Sequence, residues 1–161
     1  MRAIVQDQYG TSDQLALPEV PDPTPGPGEV LSRVAAAGVD RGTWHVMTGL
    51  PLLARLGLGL RHPKDRIPGR DVAGTIIALG DGVTEHAIGD AVYGTARGSF
   101  AALAVLPLTR LAPCPSSITV EEAAAVPVSG LTALQALRKA GVGRGDRVLV
   151  VGASGGVGTF A

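Results

Sequence analysis

The clearest chemical feature in this sequence is Gly152-Ala153-Ser154-Gly155-Gly156-Val157-Gly158, which directly follows the apolar run Arg147-Val148-Leu149-Val150-Val151. Five consecutive residues with four β-branched or aliphatic side chains read as a strand buried on both faces. A glycine turn after such a strand lets the chain reverse tightly and lets a pyrophosphate approach the backbone. The first N–H groups of a following helix then point at the anion. The same spacing also serves a plain tight strand-to-helix connection. The phosphate loop of nucleoside triphosphatases is excluded, because that loop needs a Lys-Ser/Thr pair and no lysine follows Gly158.

Metal chemistry is not expected. A catalytic zinc takes about three converging N, S or O ligands. The candidates His45, His62, His86 and Cys114 lie in unrelated segments, where surface or packing roles suit them. The lone cysteine also excludes a disulfide framework. With 14 basic and 14 acidic side chains the net charge is zero, which argues against a nucleic-acid partner. No apolar stretch approaches the roughly 20 residues of a membrane helix, and no signal peptide is visible. The expectation is a soluble, cytoplasmic protein.

The elements that must position the glycine turn fall into two parts. The 161 residues are 45% hydrophobic and 17% charged, which allows a buried core. Their 23 glycines and 12 prolines are spread between short apolar runs, the pattern of many short strands joined by turns. Strands are expected at Arg2–Gln6, Gln14–Val20, Glu29–Ala37, Asp71–Leu79, Asp90–Tyr93, Ser99–Leu106 and Thr109–Leu111. Gly80-Asp81-Gly82 has the form of a hairpin turn. The proline-rich segment 21–28 can be neither helix nor central strand and reads as a stiff surface crossing. Thr43–Met47 suits one or two helical turns, and Pro51–Leu60 either a short helix or a flap. Closely spaced strands without a long helix indicate a small β-barrel or sandwich.

Near residue 117 the pattern changes. Thr119 followed by Glu122 forms a capping box for a helix at Val120–Ala125 that ends before Pro127. A second helix opens at Ser129 or Gly130, with Leu131, Leu134, Leu137 and Ala140 at helical spacing and Gly141 as its C-cap.

Four segments in order resemble the medium-chain dehydrogenase/reductase superfamily. Gly145–Gly158 is similar to its nucleotide-binding turn; the quinone-reductase and enoyl-reductase branch carries A-x-x-G-x-x-G there, with Gly152 in the alanine place. Pro68-Gly69-Arg70-Asp71-Val72-Ala73-Gly74 resembles P-G-x-[DE]-x-x-G, Gly89–Gly94 resembles G-D-x-V-x-G, and Val126–Ala133 resembles the segment bridging the two domains. The resemblance implies a mainly β fold with an α/β tail: a GroES-like β-barrel domain over 1–118, then over 119–161 linking helices with the first strand and glycine turn of a truncated Rossmann domain.

Zinc members of that superfamily place a cysteine after the third strand and a histidine in G-H-E. Here Asp40 follows Gly38-Val39, and Arg70-Asp71 replaces His-Glu. The resemblance therefore implies zinc-independent hydride transfer from NADPH, with NADH not excluded, to a quinone or an α,β-unsaturated carbonyl, or between an alcohol and a ketone. It places Thr132 near the nicotinamide and Ser154, Gly155, Gly156, Val157 and Gly158 at the pyrophosphate. Asp40, in the place of an asparagine found near the cofactor or substrate, is a substrate-site candidate with Trp44 and His45, although Asp40 is equally suited to cap the helical turn after it. The tyrosine that enoyl-thioester reductases use is replaced by Leu50-Pro51, which leaves the proton donor unassigned. The residue that selects NAD or NADP lies about 20 residues past the glycine turn, beyond Ala161. These 161 residues alone are expected to be catalytically silent, and a homodimer is expected of the full-length enzyme. Two alternatives stay open: a standalone GroES-like binding module, and a minimal enzyme that completes its sheet by dimerising.

Overall fold

The computed structural model describes all 161 residues. In chain order the strands and α-helices are β1 (Val5–Gln6), β2 (Leu15–Ala16), β3 (Glu29–Ala37), α1 (Arg41–Thr48), α2 (Arg55–Leu58), β4 (Asp71–Leu79), β5 (Ala91–Thr95), β6 (Leu103–Pro107), β7 (Leu111–Pro113), α3 (Val120–Ala125) and α4 (Pro127–Lys139). The mainly β fold expected from the sequence is present.

Five strands form one antiparallel sheet in the order β6-β3-β4-β5-β7. β3 and β4 are nine residues each and supply its centre. Register shifts between Leu31 and Ser32 and between Val34 and Ala36 interrupt their pairing. Such bulges raise the local twist, which helps a sheet curl round its own apolar face. That face carries Val30, Val72, Ile76, Val92, Ala96, Ala104 and Leu106, all buried. The bridge Arg2–Glu19 extends the small pair β1–β2, and the bridge Ala3–Ala101 ties it to the segment before β6. Alanines let α3 lie close on the other side: Ala123 and Ala124 pack on Ala73 of β4. The Thr119–Glu122 capping box forms as expected.

The strand limits shift at several places. Expected strand Thr109–Leu111 is a 3₁₀ turn, Leu108–Arg110, followed by β7, which pairs with β5. Gly80-Asp81-Gly82 does not make a tight hairpin. β4 outruns β5, and the Gly80 N–H and Asp81 carbonyl pair instead with Glu29 and Gly28 before and at the start of β3. Helix α4 begins at Pro127, two or three residues before the expected start, because proline is tolerated in the first turn, where its missing donor has no partner in any case. Its C-terminus is as expected: the N–H groups of Gly141 and Val142 bond to the carbonyls of Arg138 and Leu137, with Gly141 at φ 68°.

The largest correction concerns Arg147–Val151. This run, expected as a buried strand, forms no strand, and Leu149 and Val151 are 88% and 90% exposed. A parallel strand needs neighbours to accept its hydrogen bonds and helices to cover its faces. Every other strand of the chain is committed to the curled sheet or the β1–β2 pair, so nothing remains to flank it. The helix expected after the glycine turn is likewise only a 3₁₀ turn, Gly158–Phe160.

Candidate cofactor and substrate cleft

Where β3 ends, the chain passes through Gly38 and Val39 to Asp40, which opens α1. The Asp40 Oδ1 accepts from the Thr43 backbone N–H at 2.6 Å and from its hydroxyl at 2.8 Å. Its carboxylate is thus a helix cap, one of the two roles open from sequence. Gly38 is needed for close approach: a Cβ there would stand 2.9 Å from the Asp71 Cβ and collide with the Ala124 carbonyl. This contact draws the end of β3, the start of β4 and the end of α3 together.

Asp71, the first residue of β4, is 2% exposed. Its Oδ1 accepts the backbone N–H of Val128 at 3.0 Å, and its own carbonyl accepts Gly38 N–H at 3.1 Å. Helix α4 has no capping side chain of its own, so Asp71 caps it from 57 residues away. Desolvation by burial pushes the Asp71 carboxyl up to about 6 from 3.8; Asp40 adds to the rise, while the Val128 N–H and Arg70 oppose it. Asp71 was not among the site residues expected from sequence. The available signal was a carboxylate at the mouth of an otherwise apolar strand, flanked by glycine at 69 and 74.

These groups line one side of a cleft of about 1010 Å³. Its other side is the α4 face at Ser129 and Ala133 together with Val148–Gly152 and Gly155–Ala161. The glycine turn is closed by a Gly155 N–H to Gly152 carbonyl bond at 2.9 Å and seats against α4 beside Ser129 and Gly130. Gly158 packs so tightly on Ala153 that a Cβ would come within 2.7 Å of its Cα. The N–H groups of Ser154, Gly156 and Val157 donate to no acceptor in the chain. A set of free amides on a glycine turn is the donor chemistry that a pyrophosphate requires.

The cleft therefore brings Asp40 together with Gly155, Gly156, Val157 and Gly158. It does not include the other residues singled out. Trp44 carries the Arg41 guanidinium 4.0 Å from its ring centre and meets the His45 ring edge-on at 5.1 Å. His45 Nδ1 is 2.7 Å from the Leu50 carbonyl, which braces the turn after α1. The Thr132 hydroxyl turns back to the Val128 carbonyl at 2.6 Å within α4. Ser154 is exposed beside the cleft. The segment 51–60 holds a 3₁₀ turn, Leu52–Ala54, and the short helix α2, the first of the two forms expected: Arg55 bonds the Gly49 carbonyl and lies over the Tyr9 ring, whose hydroxyl donates to the Gly59 carbonyl. His62, His86 and Cys114 stand apart from the cleft, and no group of three His, Cys, Asp or Glu side chains is gathered to hold a metal ion.

A curled antiparallel sheet with a cleft at the end of β3, facing a glycine turn, defines the architecture of the dehydrogenase/reductase class. Residues 26–116 match the alcohol dehydrogenase GroES-like domain family, and the chain belongs to the medium-chain dehydrogenase/reductase superfamily. It is 35% identical over 174 residues to the chloroplast envelope quinone oxidoreductase homolog of Arabidopsis thaliana, covering all of this chain and 51% of that protein. A mycobacterial structure solved with NADPH superposes with a TM-score of 0.85 at 34% identity, over 99% of this chain and 48% of that one. A cobalt- and zinc-bound alcohol dehydrogenase from Pyrobaculum aerophilum superposes with a TM-score of 0.83 at 30% identity, over 99% and 54%. The chain spans about half the length of these relatives. No helix is long and apolar enough to cross a membrane.

Proposed function

We propose that this chain is part of a cytoplasmic NAD(P)H-dependent oxidoreductase that transfers hydride to a quinone or an α,β-unsaturated carbonyl without zinc. The observation that carries the reading is the cleft itself, which gathers Gly155–Gly158 of the glycine turn, two of whose N–H groups are free, with the loop Val39–Gly42 and Asp71. The reduced nicotinamide supplies the hydride when bound; the protein supplies orientation and polarisation. In this reading Ser154–Gly158 hold the pyrophosphate and Asp71 fixes α4, which carries Thr132 toward the nicotinamide. Asp40, Trp44 and His45 border the acceptor. NADPH is the preferred cofactor, supported by the mycobacterial relative, with NADH a second option. The absence of zinc is supported by Asp40 and Arg70-Asp71 in the ligand places and by the commitment of Asp40, Asp71 and His45 to backbone partners.

The same proposal divides the chain into a GroES-like catalytic domain over 1–118 and, over 119–161, linking helices with the start of a Rossmann domain. The 161 residues alone are silent, and the whole enzyme is a homodimer. A non-catalytic GroES-like module is disfavoured, because it would leave the apolar run at 148–151 in water.

The test is loss of reduced-nicotinamide absorbance with quinone and enone acceptors, by the natural protein that carries these residues and by the 161-residue chain. Chelator-resistant turnover by the former, with a raised KM for NADPH in Gly156→Asp, is expected. No turnover with any acceptor, or turnover lost to chelator and restored by zinc, refutes the reading. Tight stoichiometric NADPH binding by the 161-residue chain overturns the expected silence.

A further inference from the structure

A second cavity, of about 650 Å³, opens beside the cleft and shares Val128 with it. Its lining includes the apolar residues Val46, Leu58, Ile67, Ala96 and Val128. The same lining includes Lys64, Arg70, Arg97 and Arg110, against one carboxylate, Asp65. That balance stands out in a chain of zero net charge. The three ion pairs of the structure involve other groups, and the only arginine side chains that donate hydrogen bonds are Arg55 and Arg66. Four exposed cations thus line one hollow: Lys64 and Arg70 from the loop before β4, Arg97 from the loop after β5 and Arg110 from the turn before β7, none of them in an ion pair or a side-chain hydrogen bond, with Arg70 also near Asp71. Like charges lining one hollow repel one another, and their summed field raises the local concentration of anions there. An anion relieves that repulsion and takes charge-assisted hydrogen bonds from the guanidinium forks.

We propose that this cavity binds an organic anion with a short apolar body: an acyl or alkyl chain carrying a phosphate or carboxylate group. The inference rests on the hydride-transfer reading for its meaning, since it makes the cavity the docking place of an anionic acceptor next to the cofactor cleft. The apolar chain lies over Ile67 and Leu58, and the anionic group meets Arg97 and Arg110. Nothing in the binding step requires the nicotinamide.

The test uses the 161-residue chain with hexyl phosphate, hexanoate and neutral hexanol at one fixed ionic strength. Binding is followed by calorimetry and by amide NMR shifts. Both anions are expected to bind at least about tenfold more tightly than hexanol, shifting the amides of Gly69, Thr95 and Gly98. Arg97→Gln and Arg110→Gln are each expected to weaken the anions by about tenfold, while the exposed Arg144→Gln leaves them unchanged. Thermal melts confirm that the variants keep the fold. Whichever anion binds more tightly assigns the headgroup. Equal binding of hexanol, no saturable binding, or equal weakening by Arg144→Gln overturns the proposal. Because the measurement needs no cofactor and no turnover, its failure leaves hydride transfer standing, and a failed turnover assay leaves this result intact.

Discussion

Replacing Asp71 with asparagine should remove one specific pH dependence from the stability of the chain. The Asp71 carboxyl is buried at the junction of β4 and α4, and desolvation raises it from 3.8 to about 6. A carboxyl raised in the folded state binds its proton more tightly folded than unfolded. Its contribution is therefore fully present below pH 3.8 and is lost as pH rises through about 6. A rise of about two units corresponds to about 3 kcal/mol. Asparagine keeps an oxygen to accept the Val128 N–H and cannot ionise. Urea unfolding of wild type and Asp71→Asn, followed by far-UV circular dichroism between pH 4 and 8, isolates this group by difference. The variant's stability relative to wild type should rise by up to about 3 kcal/mol across that window, most steeply between the two values. Asp71→Ala should show the same rise, displaced downward by about 1 kcal/mol at every pH because the Val128 N–H loses its acceptor. A difference that stays flat from pH 4 to 8 in both variants would refute the assignment of Asp71 as a desolvated cap.

Three further outcomes follow from the packing. Gly38→Ala forces a Cβ into the Ala124 carbonyl and the Asp71 side chain, and should lower the urea unfolding free energy by about 1–3 kcal/mol. Thr119→Ala removes half of the capping box on α3 and should cost about 1 kcal/mol, read from the same titration. Val151→Asp, in the 161-residue chain, should change stability by no more than about 0.5 kcal/mol, because the side chain is 90% exposed. A loss of several kcal/mol would instead place residues 147–151 in a buried strand.

The parts of this protein governed by local chemistry were legible before any tertiary contact was known. The capping box at Thr119–Glu122, the Gly141 terminus of α4 and the strands at Glu29–Ala37 and Asp71–Leu79 depend on neighbouring residues and on alternation, which a sequence displays. The ordered segments from Pro68 to Gly158 carried the family. Exact strand ends were less legible, since Gly80-Asp81 pairs with the region around Gly28 and Glu29, a partner no local pattern names. The fate of Arg147–Val151 lay wholly outside its own sequence: an apolar run becomes a strand only where other strands are free to accept its hydrogen bonds. The site divides in the same way. The glycine turn and Asp40 announced themselves by residue type and position. Asp71 and the four cations of the second cavity did not, because a cap reaching across 57 residues and a cavity built from separate loops exist only after the chain has folded.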